Sequence, residues 1–566
     1  MKQPTLSQLP IWIRYVAIAL LVIGIVFRFV NLNHKVLWHD EVYTGFRSAG
    51  YVAPEIWNDL AQNQPIQMQR LKDYTSLKPN SNFGDTLHSL VAEDSQHPPL
   101  FFMMTRLWMQ VLGSPIRSLF GSQITVLRSL PMLLSLLAIP AAFALAWELF
   151  HSKAAALFAA MLLALSPLDV LFAQTARQYS LLTVVVLVSQ WLLMRALRLS
   201  QPKPQNHQQS QAYSQWQPWL WYSFAVAIGL YTHPFFGLTI AAQIVLVSAL
   251  WLSDRAQTAR VVIKFAGAVL LAIVAFTPWL IVIYRGLGKV SASTDWLKIT
   301  PPIKEYFRQW ILNYTSLFYD LELGLNNPLD YLIRLLFIAL IGVAVILVCR
   351  QCDRRAWLSV LTIIFVPLLL LAGADLALGG KRSTIGRYLI SSYPGVQLAV
   401  AWLLATLCSR GLPKLRLLYK KSAPSINRLV MGVTAFSIIA LSTVASLTAS
   451  AAAFTWWTKD VSYYNNEIAQ VINQTNSPLI VSDHGNSFTN LGDLISISYL
   501  VKPEVPVVYF GDDLDYINRP EFAKLQVEHS IIFFRPTKAL QDQLEATFRN
   551  LQPHSKPELK LWTLAK

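Results

Sequence analysis

The stretch Pro98-Pro99-Leu100-Phe101-Phe102-Met103-Met104-Thr105-Arg106-Leu107-Trp108-Met109-Gln110-Val111-Leu112 decides the topology of this chain. It is apolar, yet it ends at Gly113, short of the roughly 20 residues that a helix needs to cross the hydrocarbon core. Its two leading prolines suit the first turn of a helix. The stretch either crosses or lies in the interface, and every later connection changes side with that choice. Eleven other apolar runs read as spans: 11–31, 126–149, 154–174, 178–199, 217–232, 234–253, 261–284, 329–349, 356–378, 388–408 and 427–450. If 98–112 does not cross, the N-terminal Lys2 and Arg14 share one side with the connections 150–153, 195–216, 253–264, 350–355 and 409–428. Together these hold eighteen Lys and Arg residues. Positive charge collects in cytoplasmic loops, so the expectation is eleven spans, an inside N-terminus, an outside C-terminus and a helix over 98–112 lying on the outer face.

Composition points the same way. The chain has 566 residues, 54% hydrophobic and 14% charged, against roughly 25% charged in ordinary soluble proteins. Most of it must therefore face lipid or pack on lipid-facing helices. The net charge of +16 follows from the basic inner loops, and no nucleic-acid partner is expected. Cys349, Cys352 and Cys408 form no disulfide framework, and the C-x-x-C at 349–352 lacks a second ligand pair. The first apolar run is long for a signal peptide and no cleavage motif follows it, so it reads as a retained span. Phosphate-loop, dinucleotide and H-E-x-x-H motifs do not occur.

Three external segments follow: 32–125, 285–328 and 455–566. The last alternates β-like runs (479–481, 505–510, 530–534) with helical patterns around 463–474 and 538–550. The segment 201–217 is a polar low-complexity loop on the inner side. The expected fold class is an all-α polytopic membrane protein of about eleven transmembrane helices, with external juxtamembrane helices and a small C-terminal soluble α/β domain. The division falls between 1–454 and 455–566.

Chemistry gathers at the outer rim. Trp38-His39-Asp40-Glu41 follows the first span, and two adjacent carboxylates at a membrane boundary must be solvated, paired or used. They read either as a general base at the lipid–water boundary or as a solvated loop. His97 precedes the interfacial helix, where it is either a phosphate ligand or a loop end. Arg128, Arg177 and the group Lys381, Arg382, Arg387 are cations on the face that the inner bias disfavours, and Arg285 is a further one. Singly each can snorkel to lipid phosphate; together they call for an anionic headgroup. Asp169 and Asp375 are placed to pair with Arg177 or with the 381–387 cations, and Glu148 belongs at inner headgroup level.

In chain order these residues make a D-E pair after the first span, H-P-P-L (97–100), R-S-L-P (128–131), S-P-L…A-R-Q-Y (166–168 and 176–179) and R-Y-L…P (387–389 and 394). Over roughly residues 10–410 this order resembles the GT-C membrane glycosyltransferases of the protein O-mannosyltransferase type, which include the lipid A aminoarabinose transferases. The resemblance implies Asp40 as the base with Glu41 supporting. It implies a lipid-phosphate and donor set of His97, Arg128, Arg177, Tyr179, Arg387 and Tyr388, with Arg285 at a less secure loop position. It further implies a polyprenyl-phosphate sugar donor, a lipid, glycan or protein acceptor, and an inverting transfer at the outer face. The expected setting is a bacterial inner membrane. No metal is required, although a divalent ion is compatible. The aminoarabinose enzymes carry Lys where this chain has His97. Rival readings are a lipid or glycan transporter, which would put charges and broken helices at mid-membrane, and a polymerase or ligase using diphosphate-linked glycans.

Overall fold

A computed structural model describes residues 3–200, 216–323, 327–409, 425–485, 489–511 and 514–564. The low-complexity loop 201–217 lies outside them but for its last two residues, and so do most of the basic residues of 409–428.

Every run expected to span is helical. Among the described residues, eight helices are long and apolar enough to cross a membrane, or nine if the bent pair Lys153–Leu165 and Pro167–Ala173 is one span broken by 58°. The expected eleven exceeds this because Gln217–Thr232 and Tyr393–Cys408 have only 16 residues each, about 24 Å at the α-helical rise. The break in the bent pair has a local cause: Pro167 cannot donate into the helix, and Ser166 caps the second half through its Oγ, 3.3 Å from the Asp169 N–H.

The deciding stretch forms a longer helix than expected, Leu100–Phe120, and is not among the membrane-length apolar helices. Phe101, Thr105, Met109 and Gly113 bury one stripe of it. Arg106, buried at mid-helix, donates to the Ser81 hydroxyl (2.9 Å), the Thr86 hydroxyl (3.2 Å) and the Ala49 carbonyl (3.2 Å). Its charge thus rests on the C-terminal carbonyls of helix His39–Ala49, the negative end of that helix. This anchorage to loop elements suits a helix lying along the surface.

Six strands form one sheet: β1 (Ile66–Gln67), β2 (Pro478–Asp483), β3 (Pro506–Phe510), β4 (Ser530–Phe534), β5 (Leu551–Pro553) and β6 (Leu561–Leu564), in the order β1-β3-β2-β4-β6-β5. The β3-β2-β4 centre is parallel, with helices Thr489–Ser498 and Pro520–Glu528 as crossovers. Both faces of the centre are covered, so its strands read as continuous apolar runs. Ile480 points into a core shared with Leu37, Val42, Phe46, Ile56 and Leu60 of the first external loop. Leu479 and Val481 point to the other side, against Leu540 and Leu544. The first loop also supplies edge strand β1. One apolar core therefore joins residues far to either side of the 454/455 boundary.

Candidate active site

The site is organised by helix His39–Ala49. Glu41 stands at its third position and turns back to accept the Trp38 N–H at 2.9 Å, satisfying a donor that helix geometry leaves unpaired. Gly50, at φ +97°, ends the helix in the left-handed region. Glu41 also accepts two bonds from Arg128 (2.7 and 2.8 Å), one from Lys459 Nζ (2.8 Å) and one from the Ala176 N–H (2.7 Å). It is fully buried. Burial opposes its charge, but Arg128 and Lys459 outweigh that and hold the carboxyl well below its ordinary range. Such a group is a structural clamp: it ties the first loop to the start of helix Gln123–Phe150, to the 174–178 turn and to the segment after the last span.

Asp40 is its opposite. It is half-buried, and its carboxylate takes no hydrogen bond or ion pair among the described residues. Burial again opposes charge, but Arg387 and Arg177 beside it outweigh that and keep it below the ordinary carboxylate value. An ionised acid in a cation field, with no partner of its own, is placed to accept a proton from something that enters.

Arg177 is set by a chain of contacts. It donates to the Thr44 hydroxyl (3.0 Å), the Asp40 carbonyl (3.3 Å) and His97 Nε2 (3.0 Å). His97 Nδ1 lies 2.7 Å from Asp94, which Arg47 clamps at 2.5 Å. Because a guanidinium only donates, Nε2 must accept, so the proton is on Nδ1 and points at Asp94. Arg177 has no carboxylate within ion-pair distance among the described residues, and its Nε is buried without a partner.

A cavity of about 260 Å³ opens beside these residues. Trp38, Phe172, Tyr179 and Trp457 supply aromatic walls; Lys381, Arg387 and Lys459 supply cations; Glu305, Gln309 and Asp460 add polar groups. Two consecutive glycines, Gly379 (φ +72°) and Gly380 (φ +122°), end helix Arg354–Leu378. Asp375 then accepts the Arg382 and Ser383 N–H groups (2.9 and 2.6 Å), folding the chain back so that Arg387 enters the cavity. Arg387 lies over the rings of Trp38 (5.1 Å), Tyr388 (5.5 Å) and Trp296 (5.7 Å). Its nearest carboxylate is Asp460, at a long 4.0 Å. Lys381 Nζ lies over Trp296 at 5.0 Å and has no ion pair among the described residues. The Trp38 indole N–H is buried without a partner. The cavity thus offers cations and a free donor in a partly dry aromatic setting, the surroundings in which they attract an anion most strongly.

The structure brings Asp40, Glu41, His97, Arg177, Tyr179, Arg387 and Tyr388 together, and separates two other expected residues from the cavity. Arg128 is fully buried, and its donors go to Glu41 and to the carbonyls of Leu32, Lys35 and Val36. No donor remains for a phosphate, so its part is structural. Arg285 is exposed at the end of helix Arg255–Arg285, without a hydrogen bond or ion pair among the described residues. Asp375 does pair with Arg382, at 3.2 Å. Asp169 does not meet Arg177. It accepts from Gln397 at 2.6 Å and feels the charge of Arg28, a buried arginine near the outer end of the first span. Glu148 pairs with Arg198 at 2.6 Å, at the opposite end of the bundle.

Sequence reasoning missed Lys459, Asp460, Asp94, Arg47, Glu305 and Gln309. Trp456-Trp457-Thr458-Lys459-Asp460 directly after the last span carried a signal: paired tryptophans and charges at an interface. The others are ordinary loop charges until tertiary contacts select them. Among the described residues, no group of three or more His, Cys, Asp or Glu is arranged to hold a metal ion.

A family profile described as dolichyl-phosphate-mannose-protein mannosyltransferase matches residues 96–282, which include His97, Arg128 and Arg177. In three dimensions the chain is similar to ArnT from Cupriavidus metallidurans in the apo state, with a TM-score of 0.50 and 13% identity over 96% of this chain and 97% of that one. The same protein bound to undecaprenyl phosphate gives a TM-score of 0.48 and 13% identity over 98% and 97%. The apo oligosaccharyltransferase from Archaeoglobus fulgidus gives 0.47 and 11% over 92% and 70%. No curated protein sequence matches the chain.

Proposed function

We propose that this membrane protein, which has the GT-C fold, is an inverting glycosyltransferase. It would move a sugar from a polyprenyl monophosphate to an acceptor hydroxyl on a lipid, glycan or protein. The observation that carries this reading is the pairing of an unpartnered carboxylate, Asp40, with three cations that lack close counter-ions: Arg177, Lys381 and Arg387. The donor phosphate would lie on Lys381 and Arg387 in the cavity, with Arg177 and the Trp38 N–H at its edge. The acceptor oxygen attacks the anomeric carbon from the side opposite the phosphate. The bond from that carbon to the phosphate oxygen breaks, the lipid phosphate leaves with an added negative charge, and Asp40 takes the hydroxyl proton. Cations aimed at the leaving oxygen stabilise charge that grows in the transition state, where such help raises the rate.

The field around Asp40 fits this order of events. Arg387 and Arg177 depress its proton affinity while the cavity is empty. A bound phosphate would neutralise part of that field, so Asp40 becomes a better base when the donor is in place. The basic connections expected on the inner side support a reaction on the outer face, and a bacterial inner membrane is the proposed setting.

Asp40→Asn is the direct test. Base catalysis contributes about 10²–10⁴-fold, so turnover should fall at least about a hundredfold, while expression and lipid-phosphate binding persist. Near-normal turnover by this variant would remove Asp40 from the chemistry.

A further inference from the structure

Asp460 has no part in the mechanism above, yet among the residues that line the cavity it is the one with a positive φ. Its backbone, at φ 22° and ψ −95°, breaks the turn Trp457–Ser462 in a region that residues other than glycine rarely occupy. Its neighbours force this. On one side Lys459 is bonded to Glu41 at 2.8 Å. On the other Ser462 donates to Asp493 at 2.7 Å and accepts the His39 N–H at 2.9 Å. Strain held by anchors on both sides is a mark of functional positions. The strain aims a carboxylate, 38% exposed, at Arg387. The contact remains loose: 4.0 Å, where a charge-assisted bond closes to about 2.8 Å. Arg387 stays on its aromatic rings with its charge only partly answered.

Resting on the reading of this cavity as the donor-phosphate site, we infer that Asp460 is an internal counter-ion which occupies the phosphate position on Arg387 and sets donor affinity. A phosphate arriving at Arg387 carries more charge and closes to shorter bonds, while Asp460 beside it is a like charge. The carboxylate would turn aside as the phosphate binds, giving up its contact with the Val461 N–H, and donor binding includes the work of displacing it. Without a phosphate, the pair helps hold Arg387 over Trp38.

The test uses the full-length protein in nanodiscs and undecaprenyl phosphate as the probe. Asp460→Asn keeps the side-chain size, and asparagine tolerates unusual backbone angles. Asp460→Gly removes both the charge and the strain. Loss of a like charge next to the phosphate should tighten binding about tenfold or more in both variants. Unchanged or weaker binding by Asp460→Asn overturns the inference while leaving the proposed function standing. Tightening by the glycine variant alone also overturns it, because strain relief would then be the cause. If the wild-type protein does not bind the probe, the phosphate site itself fails, and the inference fails with it.

Discussion

Replacing Glu41 with alanine would strand Arg128 and Lys459 in a site without solvent. Removing one partner of a buried charge cluster costs about 3–5 kcal/mol, and Glu41→Ala should lower thermal stability by that order, measured as a melting shift in detergent. Asp40→Asn should leave the melting temperature nearly unchanged. Equal effects of the two would contradict the division of labour between these neighbours. The Asp-Glu pair was legible in the sequence as a pair at a membrane boundary, but which member is structural was not. The partners that decide it lie 87, 135 and 418 positions away. Arg128 and Arg177 show the same limit. Both are outward cations in the sequence, and only tertiary contact shows that one is saturated by Glu41 and carbonyls while the other keeps a free donor.

At the scale of elements, the position of Asp40 depends on how helix Thr489–Ser498 seats on helix His39–Ala49. The approach is close at Gly492, where a Cβ would lie 2.6 Å from His39 Nδ1 and 2.8 Å from the Tyr43 ring. His39 also faces Asp493 at 3.7 Å. Gly492→Ala therefore pushes the His39 and Tyr43 rings from their places on helix His39–Ala49, at a cost of roughly 1–3 kcal/mol for overpacking. It should reduce both melting temperature and turnover although residue 492 lies outside the cavity; wild-type values for both would show that this contact does not set the site. The helix patterns and the three central strands were legible because period and length carry them. The bend at Ser166 and the late start of helix Tyr393–Cys408 were not, because hydropathy alone does not register a cap or a shortfall of a turn; the shortness of 217–232 was already in the sequence. That bend swings Phe172 and Thr175 to the cavity wall. The buried Arg28 is the penultimate residue of its span. Its guanidinium donates to the Leu163 carbonyl at 3.0 Å, just before the break in the bent pair.

For the whole molecule, the loop 32–125 and the C-terminal segment fold as one body around a shared core and sheet, at one end of the helix bundle. Its last contribution, Trp457 to Asp460, forms part of the cavity itself. A tail read from sequence as a separate α/β unit hides this, since nothing local in residues 66–67 announces that they pair with β3. The proposed chemistry is cleavage of the bond between a sugar and a polyprenyl monophosphate. The most direct measurement incubates the full-length protein in nanodiscs with radiolabelled polyprenyl monophosphate sugars, with matched diphosphate-linked sugars in parallel, and follows the label and the released lipid. At least one monophosphate donor should give up its sugar with matching release of polyprenyl phosphate. Cleavage of diphosphate-linked donors alone, or movement of intact lipid-linked sugar across the bilayer with no bond broken, would contradict it.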